Sequence, residues 1–291
     1  MKVRISILHY GDVEVTKKTL NSILSLDENL VAHITVVNNS PQNAKFVELT
    51  NEFGEFDKIE FISTGLNMGF SKGNNIGYQY ERELSEEDLI IVMNNDIEIS
   101  DKRFFERIIN SYKNDKYDIM GPDIVNLDGL HQNPFRTKTI SRKQLQKRII
   151  IKRLFYLYYK FKKSIPALSK VKLLERAFDK KSKKVILERQ STQNTENPTL
   201  HGAFLVYSPK YIKNERFAFL PITFMYGEED ILSYYCDLKG YKRTYDPTIR
   251  ILHLEGASTK ESYTNDLERN LFFTKNTLSS SIALLNLMRE G

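Results

Sequence analysis

The sequence has very little cysteine, no tryptophan and no long hydrophobic run. Cys236 is the only cysteine among 291 residues, which excludes an internal disulfide and predicts a reducing, cytoplasmic setting. No stretch reaches the roughly 18 consecutive apolar residues that a membrane-spanning helix needs. Residues 1–8 contain too short an apolar run for a signal peptide, and they lead directly into a strand pattern. We therefore expect a cytoplasmic globular protein, with any membrane association at the inner surface of the cell membrane.

The chain also has fewer acidic than basic residues. Lysine and arginine number 43 against 37 acidic residues, a net charge of +6. Such a balance indicates an anionic partner: nucleic acid, an anionic membrane surface or a phosphorylated substrate. Charge alone does not choose between these. The hydrophobic content of 41% is enough for one large core, or for one core and a smaller lobe.

The first part of the chain alternates strand-like and helical patterns. A helix start is expected at Ser40 and Pro41, because serine is a good N-cap and proline suits the first helical position. An alternation of strand and helix predicts a parallel sheet. The predicted strands are Val3–Leu8, His33–Val37, Ile59–Ile62 and Leu89–Met93.

The last of these strands runs straight into a polar cluster. Leu89–Met93 is an unbroken apolar run, typical of a central strand covered on both faces. Asn94, Asn95 and Asp96 follow it. Ligands of such sheets bind beyond the carboxyl ends of the strands, and a carboxylate there can hold a divalent cation that in turn holds a diphosphate. The alternative is a polar turn with no ligand.

Two further clusters could bind or react. Asn67–Gly77 has three glycines and three asparagines, which allow a ligand close to the backbone and expose N–H groups at a helix start. It matches neither a Walker loop nor a dinucleotide-binding fingerprint. Glu228, Glu229 and Asp230 precede a helical pattern, so they lie in a first helical turn, where the helix dipole favours negative charge. That position is a sufficient structural explanation of the acids by itself.

A basic segment spans residues 136–189. Its only acids are Glu175, Asp179 and Glu188, and its aliphatic and aromatic residues are interleaved with lysine and arginine. This pattern favours a helix on an anionic membrane surface. The alternatives are a helix that packs its apolar stripe on the core, or a basic nucleic-acid-binding module. No recognised nucleic-acid-binding motif occurs, so no nucleic acid partner is expected.

Taken in order, the motifs resemble those of the inverting family 2 glycosyltransferases, which have the GT-A fold. The likeness is closest to the rhamnosyltransferase-type enzymes of bacterial surface polysaccharide synthesis, and it covers roughly residues 1–128 and 200–260. Asn38 and Asn94 depart from the family pattern, since an aspartate is commoner at both positions. The residues that carry the resemblance are Ile5–Tyr10, Val36–Ser40, Asn67–Phe70, Gly73–Gly77, Met93–Asp96, Glu228–Asp230 and His253–Ser258.

The resemblance implies a set of site residues. Asp96 and His253 would bind Mn²⁺ or Mg²⁺, and the histidine nitrogen favours Mn²⁺. Glu229 is the first choice for the catalytic base, followed by Asp230 and then Glu228. His201, in contrast, is expected to be structural. The donor nucleotide-sugar would be bound by His9, Tyr10, Asn38, Asn39, Asn67, Gly69, Phe70, Lys72, Asn75, Asn94 and Asn95.

The implied activity is metal-dependent transfer, with inversion, of rhamnose or a hexose to an acceptor hydroxyl. The donor would be dTDP-rhamnose or a UDP-hexose, and the acceptor a growing, lipid-linked bacterial surface glycan. Asn94 also suggests a related fold without activity. A nucleotidyltransferase would show a glycine-rich signature after the first strand, which is absent here.

The expected fold class is α/β: a GT-A-type, Rossmann-like, mostly parallel sheet flanked by helices. The expected divisions are a nucleotide-sugar-binding half (1–128), a basic, mostly helical insertion (129–199), an acceptor and catalytic half (200–260) and a C-terminal helical segment (261–291).

Overall fold

The computed structural model describes residues 1–27, 29–40, 44–165, 196–254 and 265–290. The strands are β1 (Val3–His9), β2 (Val31–Asn38), β3 (Ile59–Ser63), β4 (Leu89–Asn94), β5 (Ile97–Glu98), β6 (Ile119–Asn126), β7 (Phe204–Tyr207) and β8 (Arg243–His253). The helices are α1 (Val13–Leu24), α2 (Phe46–Phe53), α3 (Phe70–Leu84), α4 (Phe104–Asp115), α5 (Arg142–Ser164), α6 (Pro209–Asn214), α7 (Glu228–Lys239) and α8 (Asp266–Glu290).

The strands form one sheet in the order β3-β2-β1-β4-β7-β6-β8-β5. The first four strands in that order are mutually parallel, as strand–helix–strand units predict. Strand β7 runs antiparallel between β4 and β6, and the short β5 runs antiparallel to β8. The sheet is therefore mostly parallel and flanked by helices, which confirms the expected α/β class.

Strand β4 lies at the centre of two cores. Ile91 and Met93 pack into a cluster with residues of α1, α2 and α4 on one face of the sheet. Ile90 and Val92 pack into a second cluster with residues of α3, α6 and α7 on the other face. An apolar run without polar alternation is thus explained by burial on both sides.

Helix α3 lies very close to β1. A side chain at Gly77 would overlap the Ser6 hydroxyl, and its Cβ would lie 3.0 Å from Val37 Cγ2. Glycine in the middle of a helix normally lowers stability by about 1 kcal/mol relative to alanine. Here the small residue allows the close packing of the helix on the sheet.

Two predicted boundaries were wrong. Helix α2 begins at Phe46, because residues 44–45 form a turn, and Pro41 lies outside the described residues. The Ser40 hydroxyl instead accepts a hydrogen bond from Gly11 N–H. The sequence of residues 240–253 predicts a turn and two short strands, but β8 is one continuous strand. Its pairing with β6 shifts register between Pro122 and Asp123, which leaves residues 247–249 of β8 out of the pairing.

Helix α5 is the described part of the basic segment, and it packs along α8. A capping box between Ser141 and Gln144 begins it, and Leu145 and Ile149 bury one face in a small third core. The rest of the segment, from residue 166, lies outside the described residues. Within the described ranges, no helix is both long enough and apolar enough to cross a membrane.

Candidate active site

Three parallel strands end in polar residues at the same edge of the sheet. His9 at the end of β1 pairs with Asn38 at the end of β2, and Leu8 pairs with Asn94 at the end of β4. The structure thus gathers the ends of these strands where ligands of such sheets bind.

Asp96 and His253 meet at this edge although they are far apart in the sequence. Pairing of β5 with β8 places Ile97 opposite His253, and Leu254 N–H donates to the Asp96 carbonyl at 2.9 Å. As a result, His253 Nε2 lies 3.2 Å from Asp96 Oδ1. Both side chains are largely buried.

The surroundings of this pair suit a cation. The Nδ1 atom of His253 lies 2.7 Å from Gln132 Oε1, which accepts its hydrogen. In the neutral ring this leaves an electron pair on Nε2, directed at the carboxylate. Asp96 Oδ1 is buried and accepts no hydrogen bond from the described residues. Two atoms that each present an electron pair repel each other, but the arrangement becomes favourable when both bind a positive ion.

The protein supplies two of the ligands such an ion would need. Among the described residues, no three or more His, Cys, Asp or Glu side chains converge as a metal site. Two protein ligands are enough where phosphate oxygens of a substrate and water complete the coordination. Asp96 and His253 therefore fit an ion that binds together with a diphosphate.

The three neighbouring acids have different partners. Asp230 is buried and pairs with Arg136 at 3.0 Å and with Arg148 at 2.6 Å. Glu228 is buried and accepts a hydrogen bond from Thr223 Oγ1 at 3.0 Å. Burial, and then the negative charge of Glu229, raise the pKa of Glu228 to about 8.

Glu229 differs from its two neighbours because no other side chain among the described residues holds its carboxylate. It has no ion pair and no side-chain hydrogen bond among the described residues, and its carboxylate accepts a hydrogen bond from Gly202 N–H. It is also partly exposed. Burial raises the pKa of Glu229 above the ordinary glutamate value, and the charge of Asp230 adds to that shift. A partly exposed carboxylate with a raised pKa is suited to act as a general base.

Two adjacent residues, His201 and Gly202, link the Asp96–His253 pair with Glu229. A Cβ at Gly202 would lie 3.4 Å from Glu229 Oε1 and 3.3 Å from the Phe70 ring. The neighbouring His201 ring lies 6.0 Å from the His253 ring. His201 and Gly202 therefore lie between the Asp96–His253 pair and Glu229. His201 Nδ1 accepts a hydrogen bond from Ala203 N–H at 3.1 Å.

The start of the Asn67–Gly77 segment is held by amide side chains, one from Asn39 and one from Asn67. Asn39 Oδ1 accepts Met68 N–H at 2.8 Å, and Asn67 Oδ1 accepts Gly69 N–H at 2.8 Å. Gly69 has a φ of +78°, and a side chain there would overlap the Phe224 carbonyl. That carbonyl accepts the next N–H, of Phe70, at 2.7 Å. The loop that would bind a donor thus contacts the segment leading to the acidic turn.

Other expected donor-binding residues are buried and form hydrogen bonds with neighbouring parts of the protein. Asn75 is buried and bonds the backbone of Phe219 through both amide atoms, at 2.7 and 3.0 Å. His9 is fully buried, and burial lowers its pKa to about 4, so it is neutral. Its Nδ1 lies 2.7 Å from Thr16 Oγ1, which also accepts Asn95 Nδ2 at 2.8 Å.

The remaining expected donor-binding side chains are more accessible. Lys72 is exposed, and Tyr10, Phe70 and Asn94 are partly exposed. Asn38 is largely buried, and its Oδ1 accepts Ser40 N–H at 2.9 Å. A diphosphate or nucleoside that binds at this edge would contact the side chains of Lys72, Tyr10, Phe70 and Asn94 before it reached the buried residues.

Sequence reasoning missed four residues around these groups. Gln132 orients His253, Thr223 binds Glu228, and the two arginines Arg136 and Arg148 hold Asp230. None lies in a motif. A separate cavity of about 270 Å³ lies at the opposite, amino-terminal edge of the sheet, near the starts of β2 and β3, and is not part of this site.

No protein-family model matches the chain. A 129-residue stretch, 44% of the chain, is 30% identical to the low-salt glycan biosynthesis hexosyltransferase Agl10 of Haloferax volcanii. That stretch corresponds to 38% of the length of Agl10, so the likeness covers well under half of this relative.

Three solved structures resemble the whole described fold. S. aureus TarS 1-349 superimposes with a TM-score of 0.53 at 11% identity, covering 98% of this chain and 71% of that one. GalNAc-T7 with UDP, GalNAc and Mn²⁺ gives 0.56 at 13%, covering 92% and 49%. The mannosyltransferase PcManGT from Pyrobaculum calidifontis, with GDP-Man and Mn²⁺, gives 0.52 at 9%, covering 100% and 75%. These likenesses confirm the GT-A-type fold.

Proposed function

We propose that the chain is a metal-dependent glycosyltransferase that moves a sugar from a nucleotide-sugar to an acceptor hydroxyl with inversion. The observation that carries this proposal is the arrangement at the sheet edge. Asp96 and His253 approach within 3.2 Å of each other, and Glu229, with its raised pKa, lies beyond His201 and Gly202. One group of residues can therefore hold a leaving diphosphate while the other accepts a proton.

Asp96 and His253 would hold Mn²⁺ or Mg²⁺, with the imidazole nitrogen favouring Mn²⁺. When bound, the ion would offset the negative charge that develops on the leaving diphosphate. Gln132 keeps Nε2 of His253 free for this role by accepting the hydrogen of Nδ1. The fold neighbours GalNAc-T7 and PcManGT were each solved with Mn²⁺, which supports a divalent ion.

Glu229 would accept the proton of the attacking hydroxyl. A general base works best when its pKa approaches the working pH, and burial moves Glu229 in that direction. Inversion requires attack on the face of the sugar opposite the leaving group. The separate positions of Glu229 and of the Asp96–His253 pair are consistent with that requirement. Glu228 and Asp230 are second choices, because both are already engaged by other side chains.

The donor and acceptor are proposed by class. TarS was solved with UDP-GlcNAc, PcManGT with GDP-Man, and the partial relative Agl10 is called a hexosyltransferase. These favour a hexose from a UDP or GDP donor, with dTDP-rhamnose as the second choice. The acceptor would be a hydroxyl of a growing surface glycan, which agrees with the glycan biosynthesis in the name of Agl10.

The proposal is tested by incubating the protein with a panel of UDP-, GDP- and dTDP-sugars. Release of the nucleoside diphosphate is measured with Mn²⁺ and with a chelator in its place. Release from at least one donor that requires the metal supports the transferase, because slow transfer of the sugar to water needs no specific acceptor. Absence of release and of thermal stabilisation by every donor would contradict it, and would favour a related fold without activity.

A further inference from the structure

Helix α5 has an exposed apolar stripe on the side opposite its packed face. Ile149 and Tyr159 are buried on the packed face. Residues four, three and four positions apart lie on one side of a helix, so the following side chains form a continuous stripe. The stripe consists of Ile150 (62% exposed), Leu154 (60%), Leu157 (44%) and Phe161 (62%).

The same helix is strongly basic. Residues 142–164 contain nine lysines and arginines and no acidic residue. Lys147, Arg153 and Lys160 are exposed beside the apolar stripe. An exposed apolar patch on a soluble domain marks an interaction site, and the flanking cations define the charge of its partner.

We propose that this face of α5 binds an anionic lipid bilayer, with the helix lying in the membrane plane. An interfacial helix combines an aliphatic stripe, which enters the acyl boundary, with lysine and arginine, which reach the headgroups. A second copy of the chain would bring two such cationic helices together, which is unfavourable. A single-stranded nucleic acid binds mainly by stacking bases on aromatic rings, whereas this stripe is mostly aliphatic.

The lipid face is linked to the acidic turn. Arg148, on another side of α5, donates to Asp230 at 2.6 Å, and Asp230 is the residue after Glu229. A helix is about 10–12 Å in diameter, and Arg148 is on the packed side of α5, so the helix itself lies between the acidic turn and the face that would meet the bilayer. On the proposed transferase function, binding through α5 would hold the acidic turn near the membrane surface, where an acceptor attached to a lipid would lie. Lipid binding itself does not depend on that function.

The test is flotation of the protein with vesicles of phosphatidylcholine alone and of phosphatidylcholine mixed equally with phosphatidylglycerol, at physiological ionic strength. The wild type is expected to float with the anionic vesicles and to stay in solution with the neutral ones. Replacing Ile150, Leu154 and Phe161 together by serine should lower partitioning roughly tenfold or more. The control replaces Val47, Leu66 and Leu127 by serine, because their exposures of 60%, 57% and 67% are similar. It should keep wild-type partitioning.

A second variant tests the charge. Lys147→Gln, Arg153→Gln and Lys160→Gln together should weaken partitioning by about fivefold for each charge removed. The control replaces three lysines that are exposed elsewhere, Lys18, Lys102 and Lys213. It has the same net charge and should bind nearly as the wild type does.

The proposal is overturned if the wild type does not float with anionic vesicles, or if the serine variant of the stripe floats as well as its control does. It is also overturned if sedimentation shows a dimer that the stripe variant dissociates, because the stripe would then be a self-association surface. Release of nucleoside diphosphate from a nucleotide-sugar is measured in parallel. Flotation without release contradicts only the transferase function, and release without flotation contradicts only lipid binding.

Discussion

Glu228, Glu229 and Asp230 are consecutive, yet their environments differ completely. One is buried beside Thr223, one is paired with two arginines, and one is left partly exposed against Gly202. The sequence could predict that an acidic cluster starts a helix. The sequence could rank the three acids as candidate bases only from the resemblance to the glycosyltransferase family. The groups that distinguish the three acids come from distant parts of the chain.

At Glu229, we expect the substitution Glu229→Gln to lower kcat by about 10²–10⁴-fold, the usual contribution of a general base. Thermal stability should be unchanged or slightly raised, because a carboxylate with a raised pKa is costly to ionise where it lies. The measurement is the rate of transfer or nucleoside diphosphate release, together with the melting temperature. Glu60→Gln, an exposed acid on β3, is the matched control and should behave as the wild type does.

The opposite result is equally specific. If Glu229→Gln keeps wild-type turnover while a folded Asp230→Asn protein is inactive, the base is Asp230. The structure argues against that outcome, because Arg136 and Arg148 hold the Asp230 carboxylate.

At Glu228, the raised pKa predicts a pH-dependent stability. Its folded pKa of about 8 exceeds the unfolded value of 4.5, so between these values the folded state binds one more proton than the unfolded state. Stability from this group is fully present below about pH 4.5 and is lost as the pH rises through 8, with a slope of up to about 1.4 kcal/mol per pH unit. Glu228→Gln keeps an acceptor for Thr223 and should flatten this decline. Denaturant unfolding at pH 5, 6, 7 and 8 measures it, and identical slopes in both proteins would contradict the assignment.

At the scale of elements, strands and helices with one clear pattern were predictable. Strand β4 is an example, because its apolar run is long and ends in polar residues. The start of α2 was not, since Ser40 bonds Gly11 across the sheet edge and does not cap the helix. The short β5 has too few residues for a pattern, yet it is the strand that brings Asp96 to His253.

The close packing of α3 on β1 gives an element-scale prediction. Gly77→Ala should destabilise the protein by about 1–3 kcal/mol, because the added methyl group overlaps the Ser6 hydroxyl and crowds Val37. That hydroxyl is buried and has no hydrogen-bond partner in the described part of the chain, so Ser6→Ala alone should lower the stability only slightly. The double variant should recover part of the loss.

Chemical denaturation of the wild type, both single variants and the double variant forms a complete cycle. A favourable coupling between the two substitutions confirms the contact. Simple additivity would show that α3 does not lie against Ser6 in solution.

At the scale of the whole molecule, the parallel half was easier to predict than the antiparallel half. Strands β1 to β4 are joined by short strand–helix connections, and such units have one favoured arrangement. Strand β7 instead inserts between β4 and β6, with the basic segment between β6 and β7 in the sequence. No local pattern encodes that insertion, which is why Gln132, Arg136 and Arg148 could not be assigned to the site beforehand.

The fold also tolerates wide divergence in sequence. Its solved neighbours share 9–13% identity with the chain, and the partial relative shares 30% over 129 residues. A shared fold does not establish activity, so the proposed activity has to be tested at the polar residues of the sheet edge themselves.

The most direct test of the central claim is calorimetric titration of UDP, GDP and dTDP, with Mn²⁺ or with a chelator. It is carried out on the wild type, on the Asp96→Asn/His253→Gln double variant and on Glu229→Gln. We predict that the wild type binds one of these nucleotides only with Mn²⁺. We also predict that the double variant loses about tenfold or more in affinity and that Glu229→Gln binds as the wild type does. Equal affinity with and without the metal, or wild-type affinity in a folded double variant, would contradict the account.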